Sequence, residues 1–150
     1  MDSRDICRIA RKAAGYTEEK WAEMLGITAG AVYQYEAGKI RPADDIVLSM
    51  ATLAGMPVVC YWHMIGKSQV AAELLPEVGD VPIAQATIAL LRRLRDFDEA
   101  GRLDALLAIA EDGEIAPDES PEFALIQQDL REIIAAAMQV NLARTTGGGA

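Results

Sequence analysis

Thr17-Glu18-Glu19-Lys20-Trp21-Ala22-Glu23-Met24-Leu25-Gly26-Ile27-Thr28-Ala29-Gly30-Ala31-Val32-Tyr33-Gln34-Tyr35-Glu36-Ala37-Gly38 decides the reading of this chain. Trp21, Ala22 and Leu25 recur at helical spacing, as do Val32 and Tyr35, so the stretch predicts two short helices with one buried stripe each. Thr17 and Thr28 stand where a hydroxyl can accept from the orphan N–H groups of a helix start. Gly26 can take the positive φ that a sharp exit from the first helix requires. Ala22 is small enough to let the two helices approach closely.

A pair of helices joined this tightly is the helix-turn-helix arrangement, which pushes its second helix into the major groove of DNA. Around it, Ser3 to Ala14 reads as a helix with Ile6, Ile9, Ala10 and Ala13 inward, ended by Gly15. Gly38-Lys39-Ile40-Arg41-Pro42 reads as a loop. Asp44 is expected to cap a fourth helix with Val47, Met50, Ala51 and Ala54 buried. Pro57 is expected to open a fifth that runs to about Ile65. No strand pattern and no internal repeat appears.

Beyond Gly66 a short helix is expected over Ser68 to Leu75, then a Pro/Gly-rich linker from Pro76 to Pro82. A long helix follows, with Ile83, Leu90, Leu91, Leu94 and Phe97 on one face. Arg102 to Glu111 reads as a shorter helix with Leu103, Leu106, Leu107 and Ala110 inward. Ser120-Pro121 opens the last, with Phe123, Ile126, Leu130, Ile133, Ile134 and Ala137 as its stripe. The expected division is therefore 1–66, a connecting segment 67–81, a helical domain 82–143 and a disordered tail 144–150.

Composition agrees with an all-α protein. Half of the 150 residues are apolar (51%) while aromatics are 5%, a mixture that favours packed helices over sheets. The net charge of −9 is unusual for a DNA binder, so its distribution matters. Residues 1–66 hold 7 Lys+Arg against 8 Asp+Glu, and residues 67–150 hold 7 against 15. The acidity belongs to the second half.

Two cysteines, Cys7 and Cys60, are too few for a disulfide framework, and no signal peptide precedes them, so a reduced cytoplasm is the expected setting. Ile46 to Ile65 is uncharged and long enough to span a membrane. Gly55-Met56-Pro57 interrupts it, and two buried helices explain it better. Cys60-Tyr61-Trp62-His63 lacks the partners for a metal tetrad or a catalytic pair. Asp112-Gly113 with Glu119 fits half of a calcium loop, but the first and third ligand positions are Ala108 and Ala110. The reading is of no enzyme, no metal, no cofactor and no membrane span.

The first 60 or so residues resemble the Cro/repressor-type (XRE) helix-turn-helix family. The resemblance runs through Arg11, Gly15, Thr17, Ala22, Leu25-Gly26-Ile27-Thr28, Val32, Glu36-Ala37-Gly38, Arg41-Pro42 and Ala51. It implies a lambda-repressor-like five-helix domain that binds double-stranded operator DNA, commonly as a homodimer on a two-fold symmetric site. It also implies that Arg11 pairs with Glu36, as a structural tie between helix 1 and the end of helix 3. Leu75-Pro76-Glu77-Val78 and Ile109 to Ile115 with Glu119 are similar to a segment of short, often prophage-encoded, regulators of this family.

The pattern departs from the family where bases are read. Ala29-Gly30-Ala31 offers no side-chain donor or acceptor, although small residues let the backbone come close and Ala can touch a thymine methyl. Tyr33 and Gln34 are then the candidates for base contact, Gln34 through bidentate bonding to adenine. Lys20, Lys39 and Arg41 are the candidates for phosphate contact, with Thr17 and Thr28 at the two helix starts. Glu18 stands where the family often carries a glutamine, and its charge opposes a phosphate there.

The expectation is a transcriptional regulator, a repressor in kind, reading its operator with helix 3 in the major groove. The acidic region 82–143 would serve dimerisation or a protein partner. The rival is a protein-interaction module of antirepressor type that keeps the fold without binding DNA.

Overall fold

A computed structural model describes residues 3–145, with side chains from Ile6 onward. Among the described residues the regular structure is entirely α-helical. The chain divides into two units, residues 1–80 with 142–150, and residues 81–141.

The first unit contains α1 (Ser3–Ala14), α2 (Glu18–Leu25), α3 (Ala29–Glu36), α4 (Asp44–Ala54), α5 (Val58–Lys67) and α6 (Gln69–Leu74). α1 packs against α3, α4 and α5, and α2 packs against α3 and α4. Ile6, Cys7, Ala10, Trp21, Val32, Met50, Met56 and Val59 fill the space between them. Full burial of the Ile, Val and Met side chains among them contributes roughly 1.5–3 kcal/mol each. Cys7, not Ala13, completes the inward face of α1, since Ala13 is exposed. Burial pushes the Cys7 thiol up to about 11, so at neutral pH it is protonated and poorly nucleophilic.

Two local expectations are corrected. Ala43, not Asp44, occupies the N-cap of α4 and makes no side-chain cap. Asp44 is the first helical residue, and its Oδ1 takes Nε2 of the buried His63 and Nζ of Lys67, both at 2.8 Å. The carboxylate thus ties α4 to α5. These contacts, Lys67 first and then His63, hold Asp44 below the usual carboxylate range.

Composition marks Pro76 to Pro82 as a linker, but the chain is held against α5 as far as Asp80. Tyr61 Oη donates to the Pro76 carbonyl, Trp62 Nε1 donates to the Val78 carbonyl at 2.7 Å, and Val78 is buried. The tail expected to be disordered from residue 144 begins ordered. Arg144 lays its guanidinium on the Asp80 carboxylate, and the Thr145 N–H donates to the Gly55 carbonyl at 3.1 Å. Residues 146–150 lie outside the described residues.

The second unit is α7 (Ile83–Glu99), α8 (Arg102–Ala110) and α9 (Ser120–Asn141). Phe97, Ile109 and Ile126 form its core, with Leu106, Phe123, Leu130 and Ile133 packed against it. α7 buries only part of the face its periodicity suggests. Phe97 is buried and Leu90 half-buried, with Ala86 buried beside them, whereas Ile83, Leu91 and Leu94 are exposed. Likewise Leu103, Leu107 and Ile134 face outward, and Ala136 of α9 is buried instead. The apolar arc of α7 is wider than the core covers, and periodicity alone does not say which edge of it turns inward. No helix among the described residues is long and apolar enough to cross a membrane.

Candidate nucleic-acid interface

The turn between α2 and α3 is built by its own side chains. Thr17 Oγ1 accepts from the Lys20 N–H at 3.2 Å, and Thr28 Oγ1 accepts from the Ala31 N–H at 3.1 Å. Gly26 adopts φ +68°, and the Ile27 N–H returns to the Ala22 carbonyl at 3.0 Å. Positive φ together with a bond back into the last turn closes α2 and lets α3 start at Ala29. Trp21, Ala22 and Leu25 of α2 and Val32 of α3 are buried together, which fixes the angle between the two helices.

The inner end of α3 is anchored electrostatically. Glu36 is 7% exposed, and a carboxylate so placed requires compensating donors. Arg11 supplies two, Nε to Oε1 at 2.7 Å and Nη2 to Oε2 at 3.0 Å. Arg11 also donates to the Tyr16 carbonyl at 3.1 Å, so one guanidinium ties α1, the α1–α2 loop and α3. Arg8, which the sequence reading passed over, joins from one turn earlier. Its Nη2 reaches the Glu36 carbonyl at 3.2 Å, with Nε 3.4 Å from Oε2. The three-residue spacing of Arg8 and Arg11 puts both on one side of α1 and was the available signal. Burial alone would raise the Glu36 carboxyl, but the bonds and charge of Arg11 and then Arg8 outweigh it and hold it below the usual range.

The outer side of α3 carries Ala29, Gly30 and Tyr33 exposed and Gln34 half-buried. The loop after the helix folds back on it. The Lys39 N–H donates to the Gln34 carbonyl at 2.9 Å, and Lys39 Nζ lies 5.3 Å from the centre of the Tyr33 ring. The Tyr33 and Lys39 side chains are thereby brought together at one end of the helix, where the Gln34 backbone holds the loop. Cation–π contact of this kind holds the ammonium near the ring without neutralising it.

Two other expected cations are engaged within the protein. Arg41 Nη1 donates to the Gly66 carbonyl at 2.7 Å, in the last turn of α5, where a cation opposes the helix dipole. That bond uses one of the five N–H donors of an exposed side chain. Lys20 Nζ lies 3.0 Å from Glu23, an exposed i,i+3 pair worth little and readily exchanged. Glu18 is 3.8 Å from Arg11, so its charge is turned in part toward α1.

Residues 8–58 match a helix-turn-helix family model. They form a Cro/repressor-type helix-turn-helix domain. The family is one of DNA-binding regulators. No curated protein and no solved structure matches the chain.

Proposed function

We propose that the protein is a sequence-specific transcriptional repressor that binds a two-fold symmetric operator as a homodimer, with α3 lying in the major groove. The observation that carries this is the meeting of Tyr33 and Lys39 at the exposed end of α3, next to Gln34, on a helix whose buried last residue, Glu36, is locked to α1. A rigid helix presenting an amide, a phenol and an ammonium together has the donors for base edge and phosphate at once. Thr17 and Thr28 spend their lone pairs on capping, which leaves each hydroxyl hydrogen for a phosphate oxygen. Ala29 and Gly30 let the start of α3 come close to the groove wall. The acidic unit repels DNA and confines the contact to the helix-turn-helix domain, and it supplies the dimer contact.

Selection of random duplexes by the purified protein at low salt tests the reading. An enriched palindrome is the expected result. On that operator, Lys39→Ala weakens binding on every sequence and lowers the salt slope by about 1. Gln34→Ala relaxes one base position at a cost of roughly 1–3 kcal/mol. No enrichment and no salt-dependent retention would sink the proposal and leave a protein-interaction module in its place.

A further inference from the structure

The first unit holds a cleft of about 750 Å³. Ile9 of α1, Tyr61, Trp62 and Ile65 of α5, Ala72 of α6, Leu75 and residues 76–80 line it. All of these except Ile9 lie outside residues 8–58, so the cleft is not a part of the helix-turn-helix. Its width is fixed. Tyr61 Oη donates to the Pro76 carbonyl and Trp62 Nε1 to the Val78 carbonyl, and Pro76 and Val78 are buried. Residues 76–80 are thereby held at a set distance from α5, and closing the cleft would break buried hydrogen bonds. A space of roughly 300–1,000 Å³ with apolar walls and few polar groups is the form of a small-molecule site.

The charged residues of the wall select the ligand. Glu77 and Asp80 line the cleft, and no Lys, Arg or His among the described residues does. Asp80 carries the Arg144 guanidinium on both oxygens. Glu77 is exposed and has no hydrogen-bond or ion-pair partner among the described residues. A neutral or anionic molecule filling the cleft would strip water from the Glu77 carboxylate and return nothing. An ammonium returns a charge-assisted hydrogen bond, and the Tyr61 and Trp62 rings favour a cation further. Ile9, Ile65 and Leu75 supply contact for an apolar body. We propose that this cleft binds a small organic cation, an amine on an aromatic or aliphatic body, with its ammonium on Glu77 and its body against Trp62 and Ile65. Binding there requires neither DNA nor a second copy of the chain.

The two tryptophans of the chain make the test internal. Trp62 stands on the wall of the cleft, whereas Trp21 is fully buried and does not line it. Proton–nitrogen NMR of the full chain follows both indole N–H signals as naphthylmethylamine, the neutral naphthylmethanol or the anionic naphthoate is added to millimolar concentration. The amine is expected to move the Trp62 signal, to leave Trp21 in place, and to bind about tenfold more tightly than the alcohol, with naphthoate weakest. Glu77→Gln, at an exposed and unpaired position, is expected to bring the amine to the affinity of the alcohol. Ala72→Phe, at an exposed position of the lining, fills the cleft and is expected to block all three. Circular dichroism checks that both variants keep the helix content of wild type. A Trp62 signal unmoved by the amine overturns the site. So does an alcohol or naphthoate that binds as tightly as the amine, or amine binding undiminished by either variant.

Discussion

Glu36 lies beneath two arginines, and its ionisation is linked to folding through them. Removing the carboxylate strands the Arg11 guanidinium, only 13% exposed, with a lost partner. The cost of breaking such a pair is about 3 kcal/mol, so Glu36→Gln should lower unfolding stability by that order at neutral pH. The sign of the pH dependence follows from the depressed carboxyl. Above the ordinary value of 4.5 the stabilisation is fully present, and it is lost as pH falls through the lower folded value. Urea unfolding of wild type and Glu36→Gln at pH 7, 4 and 3 checks this. The gap between the two should narrow on acidification, and a constant gap would mean that packing, not charge, holds the residue. Arg11 and Glu36 are twenty-five positions apart, and no periodicity joins them, so only the family resemblance suggested their pairing. Arg8 could be read from spacing once Arg11 was placed.

At the scale of elements, helices whose one apolar stripe is flanked by capping threonine and turn glycine were legible, and α2 and α3 are of that kind. α7 was legible only in part, because Ile83, Leu91 and Leu94 extend the apolar arc of Phe97 and only tertiary packing decides how much of that arc is covered. The Pro76–Pro82 stretch misled for a different reason. Composition reports its turns but not the Tyr61 and Trp62 donors that hold its carbonyls. In the candidate site, the bond of Arg41 to the Gly66 carbonyl was not legible, because that acceptor belongs to a helix end that no side-chain pattern marks. α3 carries one further test. A Cβ on Gly30 would meet only Thr28 Oγ1, at 3.8 Å, so nothing inside the fold asks for glycine there. Gly30→Ala should raise the helix's stability by about 1 kcal/mol. If DNA packs against the first turn, the same change should weaken operator binding. Thermal melting and DNA titration on one sample read the two effects separately. A rise in both would mean that the start of α3 stays clear of the groove.

Over the whole molecule, the chain leaves the helix-turn-helix domain at Asp80 and returns to it at Leu142, and the two points are fastened together. Arg144 holds Asp80 through both carboxylate oxygens, and Asp80 in return raises the Arg144 guanidinium, which stays charged at any working pH. Thr145 reaches further, to the turn between α4 and α5. Gly55 there has φ +60°, and an added Cβ would stand 2.8 Å from the Thr145 carbonyl oxygen. Gly55→Ala therefore meets two penalties, the left-handed backbone and the returning chain. Gly26→Ala meets only the first, since nothing lies within 4 Å of its Cβ at φ +68°. In the full chain the expected losses are about 2 and about 1 kcal/mol respectively. Ending the chain after Asn141 removes Thr145, and there the two substitutions should cost the same. That truncation should itself lower stability by about 1 kcal/mol through the lost Arg144 pair. Urea melts of the six proteins close the cycle. If Gly55→Ala costs as much without Thr145 as with it, the returning chain does not rest on the α4–α5 turn, and the Arg144–Asp80 pair alone fastens it.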